Sequence, residues 1–184
     1  MDNLYIALVH YPVVNKRNKP IGSALTTIDM HDIARASMTF GVKGVYVITP
    51  FQDQADLARE VIRHWTCGEG SRLNPSRKQA LELIRVAGTF DEAVRQIQAE
   101  NNRPVVTIAT SARMTRKTIS PRALKRKQMA DTPCLLVFGT AWGLADELIN
   151  RCDMQLDPIT GPGDYNHLSV RSAASIYLDR LMNG

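Results

Sequence analysis

The sequence predicts an α/β domain built on a parallel sheet, and three observations carry that expectation. Short apolar runs rich in Val, Ile and Leu recur at Leu4–Val9 (LYIALV), Val45–Ile48, Val105–Ala109 (VVTIA) and Leu135–Phe138. Unbroken runs of this kind suit strands buried on both faces, as a helix-covered parallel sheet requires. Stretches with helical spacing separate them. Glycines follow strand ends, above all in Gly139-Thr140-Ala141-Trp142-Gly143, where missing Cβ atoms let main-chain groups approach a ligand.

Taken in order, Leu4–Val9 is the first strand, and His10 to Leu25 is a polar loop carrying Lys16, Arg17 and Lys19. A loop of that length at a strand end is either functional or a surface excursion. Asp29 is a candidate N-cap for a helix over Met30–Phe40, which Gly41 should end in a left-handed turn. Val45–Ile48 is a strand, and Gln52–Thr66 a helix after Pro50. The middle, Gly68 to Asn102, reads as helices with apolar cores at Ala80–Val86 and Ala93–Ile97. Val105–Ala109 is the third strand. A basic segment from Arg113 to Lys127 follows it, including Arg116 and Lys117. After Leu135–Phe138 come a helix, a short strand, the Gly/Pro loop Pro158–Tyr165 and a long final helix.

The chain has 184 residues, 44% of them hydrophobic, which suits one globular domain with a real core. Its net charge of +5 favours a polyanionic partner. No apolar run is long enough for a membrane span, and the N-terminus starts on a strand pattern rather than a signal peptide. The expected location is therefore the cytoplasm. Cys67, Cys134 and Cys152 are widely spaced, without metal-ligand or disulfide patterning, and read as buried reduced thiols. The Rossmann, P-loop, zinc-protease and serine-hydrolase signatures are absent, which disfavours those chemistries.

The candidate residues each carry two readings. Arg35 either pairs with Asp29 or Asp32 at a helix edge or serves a ligand. The run Arg113–Lys127 is a solvated face or a phosphate-contacting surface. Among the four histidines, His167 stands out because it lies in the last Gly/Pro loop.

Three segments together resemble the SPOUT class of RNA methyltransferases, the α/β-knot fold. They are TTIDMHDIARASMTFGV (Thr26–Val42), LLVFGTAWGLADEL (Leu135–Leu148) and Ile159–Leu181 with its His167-Leu168-Ser169-Val170. The sequence is similar, more closely, to a small bacterial family of SAM-dependent RNA methyltransferases. The resemblance implies a parallel sheet flanked by helices with a C-terminal deep trefoil knot, a single domain over residues 1–184, and a helical insertion at about 68–102. It implies S-adenosylmethionine as donor and S-adenosylhomocysteine as product, with no metal. The donor would be held by Thr110, Ser111 and Ala112; by Phe138, Gly139, Thr140, Gly143 and Leu144; and by Ile159, Gly161, Tyr165, Asn166, His167, Leu168 and Ser169. Arg35 falls on the class arginine and Asp29 where many members have asparagine. Asp29, His167 or Asp164 would handle the proton. Gly163-Asp164-Tyr165 resembles the loop of bacterial tRNA guanine-N1 methyltransferases, whereas the ribose-methylating branch has Ser-Leu-Asn where this chain has His167-Leu168-Ser169. Ribose and base targets both stay open. The implied partners are tRNA or rRNA, gripped by Lys16, Arg17, Arg113, Arg116 and Lys117, and a second copy of the chain in a homodimer. A non-catalytic RNA-binding protein on the same fold is the alternative.

Overall fold

The computed structural model describes residues 3–115, 117–127 and 132–183. Arg116 lies outside the described residues. The first half holds β1 (Leu4–Val9), a hairpin of β2 (Val13–Val14) and β3 (Pro20–Ile21), α1 (Thr27–Thr39), β4 (Gly44–Ile48) and α2 (Gln52–Thr66). The helices α3 (Glu69–Leu73) and α4 (Pro75–Leu81), strand β5 (Ile84–Ala87) and α5 (Phe90–Asn101) follow. The rest comprises β6 (Val106–Ala109), α6 (Pro121–Arg126), β7 (Cys134–Gly139), α7 (Asp146–Arg151), β8 (Met154–Gln155) and α8 (Val170–Met182).

Six strands form one sheet in the order β5-β4-β1-β7-β6-β8, and every pairing in it is parallel. Alternation along the pleat explains why β1 is apolar throughout. Leu4, Ile6 and Leu8 face a core with Met30, Ile33, Leu136, Phe138, Tyr177 and Leu178, while Tyr5, Ala7 and Val9 face another with Phe90, Ile97, Val137 and Leu148. The register matters for the site: Val9 pairs with both Ile48 and Gly139, so β1, β4 and β7 end level and release their loops at one edge.

Three local expectations change. Helix α1 begins at Thr27 after Thr26, not after Asp29, and the Thr26 hydroxyl donates to the Asp29 carboxylate instead of capping the backbone. The stretch 68–102 is not all helical. Ala80–Val86, expected as one helix, splits into the end of α4 and strand β5, which pairs with β4 as the sheet edge. Its run of Leu and Ile fits a helix or a buried strand equally well by pattern, and the free edge of β4 decides the matter. Cys67 is exposed, while Cys134 and Cys152 are buried thiols, and burial pushes Cys134 up to about 11. The turn after α1 is as expected: Gly41 has φ +71° and the Val42 N–H donates to Ser37 O at 2.9 Å.

Candidate functional site

At the sheet edge where β6 and β7 end, three loops enclose a cavity of about 480 Å³. That size suits a small organic ligand. The first wall is Thr110–Arg113. Thr110 is tied back to β7 by its N–H and its hydroxyl, both donating to Val137 O at 3.0 and 2.9 Å.

The second wall is Phe138–Gly143. A Cβ on Gly139 would sit 2.7 Å from the Gly143 carbonyl carbon, and closer still to the Leu144 nitrogen. Only glycine lets this loop fold back on its strand. Ala141 (φ +51°) and Gly143 (φ +107°) turn it in the left-handed region. The hairpin then clamps it: Val14 N–H donates to Gly143 O (2.9 Å), Trp142 N–H to Val14 O (3.1 Å) and Ala145 N–H to Pro12 O (3.3 Å).

The third wall is Ile159 with Asn166–Val170 and the first turns of α8. Ser169 caps α8, its hydroxyl accepting from Ser172 N–H at 3.3 Å. Asn166 Nδ2 donates to Ala112 O at 3.2 Å, joining the third wall to the first. Tyr177 lines the floor and its hydroxyl donates to Asp157 O at 2.7 Å; burial raises that phenol to about 12, so it stays protonated.

The expected donor-binding residues meet around this cavity, except Leu144, Gly161 and Tyr165. Leu144 is buried beneath the loop, while Gly161 and Tyr165 are exposed on the outer part of the third loop. Of the proton-handling candidates, Asp29 and His167 line the cavity; Asp164 is exposed outside it. Arg35 is exposed on α1 and does not reach the cavity of its own chain. Three of the basic candidates, Lys16, Arg17 and Arg113, come together. Lys16 and Arg17 form the hairpin tip, ordered by Asn15 Oδ1, which accepts from Arg17 and Lys19 N–H at 2.8 and 3.1 Å. Arg113 lines the cavity and pairs with Asp146 at 3.1 Å, and Asn18 from the tip reaches the same carboxylate at 3.4 Å. Lys117 is exposed on the loop after Arg113.

Four residues have no role of their own in the sequence reading. Arg171 lines the cavity and bridges Asp29 (2.6 Å) and Asp32 (3.4 Å). Its signal was a cation in the first turn of a helix, where the dipole opposes it and a carboxylate must compensate. Trp142 lines the cavity with its ring 5.3 Å from that of His167. Tyr177 was hidden among the apolar positions of α8. His10 is buried at the end of β1, with Nδ1 3.1 Å from the Ser23 hydroxyl, which also bonds Thr140 in the cavity wall. Burial lowers the His10 imidazole below its ordinary value, partly offset by the Asp29 charge. No sequence pattern marks such a contact between distant loops. Among the described residues, no group of three or more His, Cys, Asp or Glu is placed to hold a metal, and no helix is long and apolar enough to cross a membrane.

Comparison with known proteins gives consistent results. The model of a family described as SAM-dependent RNA methyltransferase matches residues 3–183. A tRNA (guanine-N(1)-)-methyltransferase of Oleidesulfovibrio alaskensis is 48% identical over 180 residues, which are 98% of this chain but only 42% of that protein. The chain thus spans less than half the length of that curated relative. An uncharacterized protein of Aquifex aeolicus is 39% identical over 183 residues, 99% of this chain and 89% of that one. In fold, the SpoU methyltransferase AviRb from Streptomyces viridochromogenes, solved in complex with AdoMet, superimposes with a TM-score of 0.60 at 17% identity, over 98% of this chain and 57% of that one.

Proposed function

Because this chain belongs to the SAM-dependent RNA methyltransferase family, we propose that it transfers a methyl group from S-adenosylmethionine to tRNA or rRNA, leaving S-adenosylhomocysteine. The observation that carries this reading is the glycine-shaped cavity, whose walls hold most of the residues expected to bind the donor. Its lining fits the group: small residues (Ala112, Gly139, Ala141, Gly143, Ala173) leave room and expose main chain, while Phe138 and Ile159 offer apolar contact.

When bound, S-adenosylmethionine supplies a methyl already activated on a sulfonium. The chain itself must therefore orient the two substrates, exclude water and remove a proton. His167, at the cavity rim beside Trp142, is our choice for the proton acceptor. Both Asp29 oxygens are engaged, one by Arg171 and one by Thr26, which suits Asp29 to holding Arg171 in place. The Arg171 guanidinium then faces the site where negative charge develops on the nucleophile. Asp164 would reach the nucleophile only if its loop folded inward.

Three further features belong to the same reading. We take residues 1–184 as one domain acting in the cytoplasm. The threaded C-terminal knot is part of the same reading, in which the last segment lies against earlier chain at the Ile119–Leu156 bridge and the Asn166 bond to Ala112. A homodimer belongs to the same reading: Arg35 is exposed on α1, as are Ile28 and Met38, and in the dimer it would serve the cavity of a second copy.

Calorimetry with S-adenosylmethionine and S-adenosylhomocysteine, followed by label transfer to total RNA from a strain lacking the gene, tests the proposal. Micromolar donor binding and labelled tRNA or rRNA are expected, with His167→Ala lowering transfer about 100-fold or more. Absence of donor binding would defeat it. Donor binding with no label in any RNA would point to the non-catalytic RNA-binding alternative.

A further inference from the structure

We propose that the sheet edge beside the cavity is a track for unpaired RNA, on which successive bases stack on Tyr11–Phe51 and on Trp142–His167 while the hairpin tip neutralises phosphates. This rests on the RNA-methyltransferase reading and adds the form of RNA that is recognised. Because β1, β4 and β7 end level, Tyr11, Phe51 and Trp142 all leave the same edge shortly after their strands. Large aromatic rings are costly to leave in water, yet Tyr11 is 45%, Phe51 40% and Trp142 53% exposed. They stand in two pairs: Tyr11 against Phe51 with centroids 6.1 Å apart and planes at 75°, and Trp142 against His167 at 5.3 Å and 39°.

The hairpin joins the two pairs. Tyr11 lies just before β2, Phe51 packs on Gly22 just after β3, and Val14 of β2 is hydrogen-bonded to the loop bearing Trp142. At its tip stand the exposed Lys16, Arg17 and Lys19, brought to the cavity rim through the Asp146 carboxylate that Asn18 shares with Arg113. Cations that follow a backbone, set beside flat rings, match the chemistry of single-stranded nucleic acid. In a duplex the base faces are stacked on one another and are not offered to the protein.

The experiment uses the full chain and two probes, a short unstructured pyrimidine RNA and the same RNA annealed to its complement. Replacing Trp65, which packs against His31, His64 and Arg77, by Phe leaves Trp142 as the sole tryptophan. The expected result is quenching of Trp142 fluorescence by the single strand and at least tenfold weaker binding of the duplex. In the double variant Tyr11→Leu/Phe51→Leu, apolar bulk is kept and the rings are lost. RNA affinity should fall about tenfold while S-adenosylmethionine affinity stays at the wild-type value. Equal binding of duplex and single strand, or unchanged affinity in the double variant, would overturn the track; if the double variant does not fold, Tyr11→Leu alone decides. Loss of donor binding in the wild-type protein would overturn methyl transfer while leaving the strand preference to be judged separately.

Discussion

Replacing Gly139 by alanine should impair the cavity without removing any polar side chain. The added methyl would stand 2.7 Å from the Gly143 carbonyl carbon, and nearer to the Leu144 nitrogen, where ordinary contact begins at 3.4 Å. Both neighbours are backbone, so loop 140–145 must move by about an ångström as a unit. That loop is held by Val14, Trp142 and Ala145 through bonds of 2.9, 3.1 and 3.3 Å to and from the hairpin strand and Pro12. Breaking two of them at about 1 kcal/mol each gives a loss of about 2 kcal/mol, within the usual range for overpacking. If the loop can be restored only at that cost, donor affinity falls about 30-fold. Calorimetry with S-adenosylmethionine and urea unfolding measure the two effects. Gly163→Ala is the control, since nothing lies within 4 Å of its Cβ position. Donor affinity within twofold of wild type in Gly139→Ala, with unchanged stability, would refute the reasoning.

Removing Arg171 as Arg171→Met leaves the nearly buried Asp29 carboxylate with Thr26 alone, and should cost about 2 kcal/mol; urea unfolding should also show that adding Asp29→Leu recovers part of the loss, and a neutral Arg171→Met would contradict the bridge. Tyr177→Phe removes the hydroxyl that holds Asp157 and should cost about 1 kcal/mol with a several-fold weaker donor complex, while the far-UV circular dichroism of the backbone stays unchanged. Stability should fall on mild acidification. His10 and His31 are both held below the ordinary 6.5, His10 by burial and His31 by burial and then Arg77, so the unfolded chain takes up their protons first. Their contribution is complete above about pH 6.5, declines as pH falls through that value, and is lost once pH passes the lower folded values. Thermal melts from pH 7.5 to 5 should show the decline, and His10→Asn should flatten it; an identical slope in the variant would remove His10 from the account.

What the sequence determined by itself is whatever local physics dictates. Unbroken Val/Ile/Leu runs specify strands buried on both faces, and Gly41 and Gly139 mark where the backbone must turn or press close. Thus the α/β class and the strand β7 with its glycine loop were legible in one dimension, whereas most of the cavity lining was named only through the family resemblance. The split of Ala80–Val86 into helix and strand was not, because a free sheet edge on β4 outweighed a pattern that suited either element. Contacts across the chain were equally hidden. Arg171 meets Asp29 over 142 residues of separation, and Ser23 meets Thr140 over 117. Exposed Tyr11, Phe51 and Trp142 leave the sheet at one end only because three parallel strands end level. Pairings of that kind are set by register and loop closure, which depend on the whole sheet and leave no trace in any local stretch of residues.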